Sequence, residues 1–90
     1  MNFEWDERKA KINEVKHGIS FDEVTTVFGD PLAITYGDPF NSDAEERFIT
    51  FGRTSNGKYL VISHTDRESS IRIISGREMT NTERAQYEKN

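Results

Sequence analysis

Cysteine is missing altogether from the 90 residues, and proline occurs only twice. The first absence excludes disulfides and thiolate zinc sites, and it fits a reducing compartment. The chain also lacks a signal-peptide pattern and any apolar run of about 18 residues, so a soluble cytoplasmic protein is expected. Only two histidines are present, and the carboxylates fall at no spacing suited to a hydrolytic metal, so they read as solvated charge and no metal or other cofactor is expected. A chain of this length buries only about 60% of its unfolded surface, which allows one modest core and a single domain over residues 1 to 90.

Net positive charge is lacking too, at -4 overall, but the sum hides an uneven distribution. Residues 1 to 46 carry four basic and eleven acidic side chains, net -7, whereas residues 47 to 77 carry six basic and two acidic, net +4. The remainder contributes -1. A basic sheet on an acidic body can hold a phosphate backbone locally while the overall field limits indiscriminate binding. Arginine guarding a strand edge against aggregation is the plainer alternative.

Local signals place the elements. Phe3, Glu4 and Trp5 alternate as a short opening strand, and Asp6 caps a first helix that ends in Lys16 and His17 with Gly18 as its left-handed stop. Ser20 and Glu23 form a capping box for a second helix, halted at Gly29, Asp30 and Pro31. Leu32 to Tyr36 reads as a strand and Gly37 to Ala44 as a polar loop. Asn56-Gly57 is a hairpin signal, and a two-residue loop there pairs Phe51 with Ile62, Ile49 with His64 and Arg47 with Asp66. Thr80 and Glu83 open a short polar helix that runs through Tyr87.

That register assigns faces. Arg47, Ile49, Phe51 and Arg53 fall with Leu60, Ile62, His64 and Asp66 on a face that the two early helices must cover. Phe48, Thr50 and Gly52 fall with Tyr59, Val61, Ser63, Thr65 and Arg67 on a face left open. A turn near Arg67 to Ser69 then sets Ile71 and Ile73 on the covered side and Arg72 on the open one, because the opposite choice exposes two Ile and buries an Arg. The open face is rich in donors and poor in acceptors, as a phosphodiester site requires. Arg77 belongs to the covered side by strict alternation, and joins Arg72 only if a bend or bulge at Gly76 brings it round. His64 reads as a core histidine. For His17, helix capping and proton donation to a leaving 5′-oxygen are both open.

Phe3-Glu4-Trp5-Asp6, Lys16-His17-Gly18-Ile19-Ser20-Phe21, Phe28 with Asp30-Pro31, Glu45-Glu46-Arg47-Phe48, Ile71-Arg72-Ile73-Ile74-Ser75 with Arg77, and Glu83-Arg84 with Tyr87 together resemble the BrnT toxin family. The resemblance runs nearly end to end. It implies an α+β, RelE-like fold: a mainly antiparallel sheet of four to five strands, two N-terminal helices on one face and a short C-terminal helix. It further implies a growth-arresting toxin that cuts RNA without a metal and is neutralised by a ribbon-helix-helix antitoxin. Lys16, His17, Arg72 and Arg77 match the family's functional basic residues. Gly29 and Gly76 depart from its pattern, standing where an acidic residue and Ala are expected.

The expected activity is therefore an endoribonuclease in which Arg72 and Arg77 stabilise the scissile phosphate, the substrate's 2′-hydroxyl attacks, and His17 or a carboxylate moves a proton. Lys16, Arg53, Arg67 and Tyr59 are the expected RNA contacts. The partners are the antitoxin, in a possible heterotetramer, and RNA, with DNA reached only through the antitoxin. The rival expectation is a non-catalytic module that docks a partner on the Arg-rich face. Direct DNA reading is weaker, since no helix is basic enough to enter a groove.

Overall fold

A computed structural model of the chain describes residues 1–89; Asn90, the last residue of the expected domain, lies outside them. Five strands form one sheet in the order β1-β5-β4-β3-β2. Antiparallel ladders join β2 (Ile34–Gly37), β3 (Arg47–Arg53), β4 (Tyr59–Arg67) and β5 (Ser70–Glu78), and β1 (Asn2–Glu4) adds a parallel pair at the β5 edge. The α+β class and mainly antiparallel sheet expected from the sequence are what the chain adopts.

The helix starts follow their caps. Asp6 accepts hydrogen bonds from the backbone N–H of Arg8 and Lys9 at the head of α1 (Glu7–His17), and Gly18 closes it at φ 70°. Ser20 accepts from Glu23 N–H at the head of α2 (Phe21–Thr25), which tightens into a 3-10 turn over Thr26–Gly29. In α3 (Asn81–Lys89) the capping box is reciprocal: Glu83 accepts from Thr80 N–H and Thr80 accepts from Glu83 N–H.

The β3–β4 hairpin corrects the expected register by one residue. Thr54 N–H donates to Lys58 C=O, Gly57 sits at φ 93°, and no residue other than glycine has positive φ among those described. Asn56 therefore does not take the left-handed conformation that a two-residue type I′ loop demands, and the connection is a three-residue loop with glycine in its last place. Arg47 pairs with Thr65, Thr50 with Ile62 and Gly52 with Leu60. A one-residue slip exchanges the faces of β3, so Phe48, Thr50 and Gly52 lie on the covered side, and Arg47, Ile49, Phe51 and Arg53 on the other. Gly52 shows why the chain prefers this: a Cβ there would stand 2.5 Å from Val27 Cγ1, so only glycine lets the 3-10 turn settle on the strand.

Ile19, Phe21, Val24, Val27, Leu60, Ile62 and Ile73 form the core on the covered face. His64 is buried beside them with both ring nitrogens used, Nδ1 at 2.9 Å from Asp66 Oδ1 and Nε2 at 2.7 Å from Thr50 Oγ1. Burial pushes its pKa below the ordinary value despite the opposing Asp66 carboxylate. The neutral ring thus donates to Asp66 and accepts from Thr50, so it is satisfied by side chains.

The face expected to be open is closed over part of its area. At the hairpin end α3 lies across it, stacking Tyr87 edge-on to Tyr59 and tying its hydroxyl to Asp30 Oδ2. Burial and the Asp30 carboxylate push the Tyr87 hydroxyl up to about 12, so it remains a donor. The other end, around Thr65, stays uncovered by helix α3.

Candidate active site and nucleic-acid interface

At that uncovered end one row of residues crosses three strands. Thr65 on β4 is the register partner of Arg47 on β3 and of Arg72 on β5, and Glu4 on β1 follows beside Arg72. The row floors a polar cleft of about 280 Å³ whose wall includes Lys9 from α1 and Asp43 and Glu45 from the loop before β3. A second cleft of about 200 Å³ shares Lys9 and Ile74 with the first and continues the groove to Lys16, His17 and Ser75.

The placement of α1 depends on one side chain. Asn13 is buried, donates through Nδ2 to Gly76 C=O at 2.9 Å, and accepts at Oδ1 from Gly76 N–H at 3.1 Å. It completes the β5 edge as a neighbouring strand would, and it fixes α1 along that edge. Lys9 and Lys16, about one turn to either side of Asn13, are thereby set along the groove.

A bulge supplies the remaining alignment. Ser63 pairs with Ser75 but His64 pairs with Ile73, so Ile74 is an extra residue. Without it, Arg72 and Arg77 would point to opposite faces; with it, they share one, Arg72 opposite Thr65 and Arg77 opposite Val61. The alternation is reset at Ile74 rather than at Gly76, the position expected from the sequence. Gly76 instead faces the core, where a Cβ would meet Val24 Cγ2 at 2.6 Å.

The candidate residues differ in what surrounds them. Arg72 meets one carboxylate at 3.8 Å, from Glu4. Arg67 is held by Glu4 at 2.9 Å and Glu45 at 3.0 Å, and the Glu45 hydrogen bond raises its pKa further, so its charge is already answered. Arg77 binds both oxygens of Glu83, at 2.8 and 3.0 Å, which brings Glu83 down to about 2 and keeps that pair ionised at neutral pH. Tyr59 lies between Arg53 and Arg84, whose guanidinium carbons sit 5.5 and 4.0 Å from its ring centre. Thr65 is six residue steps along β4 from Tyr59, roughly 20 Å of strand, so Arg53 and Tyr59 occupy the far end of the sheet from Arg72. Arg72 thus lines the first cleft and Lys16 and His17 the adjoining one, with Arg77 roughly 13 Å along the sheet from Arg72. Sequence reasoning missed Lys9 and Arg47 as groove residues, whereas it set Thr65 on the donor-rich open face. Among the described residues no cluster of His, Cys, Asp and Glu is arranged to hold a metal ion, and no helix is long and apolar enough to cross a membrane.

The sequence model of one protein family, the ribonuclease toxin BrnT of type II toxin-antitoxin systems, matches residues 5–83. The chain belongs to the BrnT family. As that family's members are the toxin halves of such systems, an antitoxin is the partner that goes with a BrnT protein. The crystal structure of the Brucella abortus ribonuclease toxin BrnT superposes with a TM-score of 0.65, covering 90% of this chain and 99% of that one. At 21% identity, this likeness to the Brucella BrnT concerns the fold. Comparison with curated proteins gives no match. The motifs that suggest BrnT from the sequence almost all lie inside the matched span, from Trp5 to Glu83.

Proposed function

We propose that this BrnT protein is a metal-independent endoribonuclease whose reacting phosphate lies at the Thr65 end of the sheet. The observation that carries this reading is a pair of adjoining clefts, sharing Lys9 and Ile74, of which one is lined by Arg72 and the other by Lys16 and His17. In the reaction the substrate's 2′-oxygen forms a bond to the adjacent phosphorus while the bond from phosphorus to the 5′-oxygen breaks. The products are a 2′,3′-cyclic phosphate and a 5′-hydroxyl. The proton leaving the 2′-hydroxyl passes to a carboxylate such as Asp43 on the wall of the first cleft, and His17, from the adjoining cleft, gives a proton to the departing 5′-oxygen. Arg72 stabilises the extra charge on the phosphorane, with Arg77 assisting when it exchanges Glu83 for a phosphate oxygen. Lys16 steers the backbone. Arg67 is occupied by carboxylates, and Arg53 and Tyr59 lie beyond reach of the reacting phosphate, so they can touch only distant nucleotides.

Cleavage of cytoplasmic RNA would stop translation and growth. A ribbon-helix-helix antitoxin would neutralise the enzyme in a heterotetramer and provide its only link to DNA. The test is incubation of pure protein with an oligoribonucleotide in excess chelator, alongside the same oligomer carrying one 2′-deoxynucleotide at the cut. Cyclic-phosphate ends on the first and no cut at that position of the second are expected. Cleavage that requires added metal, or that ignores the 2′-deoxy substitution, would sink the mechanism, and a folded sample that never cuts would favour a partner-docking module.

A further inference from the structure

Of the sheet's arginines, Arg47 is the one whose environment has no explanation within the fold. It is half-buried, yet its guanidinium forms no ion pair within 4.0 Å among the described residues, whereas Arg67 and Arg77 each bind carboxylates closely. Its register partner Thr65 is only 2% exposed, and the Thr65 hydroxyl Oγ1 is buried without a hydrogen-bond partner. On the other side of Thr65 stands Arg72. Side chains directly opposite on neighbouring strands are about 5 Å apart at Cβ, so two guanidinium forks flank a hydroxyl over roughly 10 Å. The buried hydroxyl, left unanswered, is costly to fold unless a ligand completes it, and the unpaired Arg47 guanidinium beside it is free to join that ligand. Lys9 reaches the same cleft from α1, while Asp43 and Glu45 on the wall disfavour an anion at that rim. Glu45 is already engaged by Arg67, which leaves Asp43 as the opposing charge there.

We infer that Arg47, Thr65 and Arg72 form a cradle for one RNA phosphodiester, with Arg47 supplying the second fork and Thr65 a neutral donor between the two. The inference rests on the ribonuclease reading for its ligand, but it concerns binding and is separable from cleavage. Two guanidinium forks on either side of a hydroxyl suit the two non-bridging oxygens of a phosphodiester, each of which can accept more than one hydrogen bond.

The experiment measures binding of a fully 2′-O-methylated oligoribonucleotide, which cannot be cut, over a range of salt concentrations. Four proteins are compared: wild type, Arg47→Ala, Thr65→Val, and Arg53→Ala, which loses the same charge at the far end of the sheet. Arg47→Ala is expected to weaken binding roughly tenfold or more, a charge-assisted contact being lost, and to lower the salt slope by about 0.7. Thr65→Val should weaken binding several-fold without changing the slope, and it preserves shape should Arg47→Ala fail to fold. Equal effects of Arg47→Ala and Arg53→Ala, with Thr65→Val silent, would overturn the cradle even if wild type cleaves RNA. Loss of binding in the cradle variants from a wild type that binds but never cuts unmodified RNA would uphold the cradle and reject the ribonuclease. Failure of wild type to bind at all would reject both.

Discussion

Arg72→Ala is expected to lower single-turnover RNA cleavage by roughly 10²- to 10³-fold, the usual cost of removing a preorganised donor from a developing oxyanion. Growth arrest on expression should disappear with it. The size of the effect follows from the surroundings. Arg72 has one carboxylate, at 3.8 Å, and lines the cleft beside the buried Thr65 hydroxyl, so its fork is available to an incoming phosphate. Arg67 provides the contrast. With Glu4 and Glu45 already at 2.9 and 3.0 Å, Arg67→Ala should reduce cleavage by less than about tenfold, as expected for an exposed pair. Arg72→Lys should recover only part of the loss, because an ammonium keeps the charge without the planar fork. Arg72→Ala and Arg67→Ala enzymes of equal activity would show that the reacting phosphate lies elsewhere.

Asn13→Ala is expected to cause the largest loss of stability. The substitution strips partners from the N–H and C=O of Gly76, which are buried between α1 and the sheet. Each backbone group left unsatisfied costs about 1–3 kcal/mol, so a loss of about 2–5 kcal/mol in denaturant unfolding is expected. In a domain of this size the melting temperature falls about 4–8 °C for each kcal/mol. Asn13→Asp keeps an acceptor for Gly76 N–H and should lie between. Since α1 carries Lys9, Lys16 and His17 to the groove, activity should decline in step with stability. A change below about 1 kcal/mol would mean that Asn13 does not anchor the helix, because water replaces it freely.

How legible each feature is in the sequence depends on how local its cause is. The caps at Asp6, Ser20 and Thr80 and the stop at Gly18 are decided within one turn, and they fall where the sequence puts them. Ile73 and Arg72 are also legible, since exposing two Ile and burying an Arg is a large enough penalty to decide a turn length. Asn13 is not, because an Asn inside a polar helix looks solvated and its partner Gly76 is 63 residues away.

The hairpin shows how a small local ambiguity spreads. Asn-Gly suits both a two-residue loop and the last two places of a three-residue loop, and the choice rests on whether Asn56 turns left-handed. It does not. That single residue of slip moves Arg47 from the covered face to the row beside Thr65, and so changes one side of the groove. Gly52 carries the missing signal, since a glycine within a strand often marks the close approach of another element, here Val27. The bulge at Ile74 has a similar signal in the odd spacing of Arg72 and Arg77, but nothing local distinguishes Ile74 from Gly76 as its position.

The most direct measurement is a map of backbone amide shifts in the protein titrated with a non-cleavable 2′-O-methyl oligoribonucleotide. The largest shifts should run through Arg47, Thr65, Arg72 and Ile74 and continue to Lys16 and His17, with little change at Arg53, Tyr59 and Arg84. Shifts centred on Tyr59 and α3, with the Thr65 end silent, would contradict the placement of the active site.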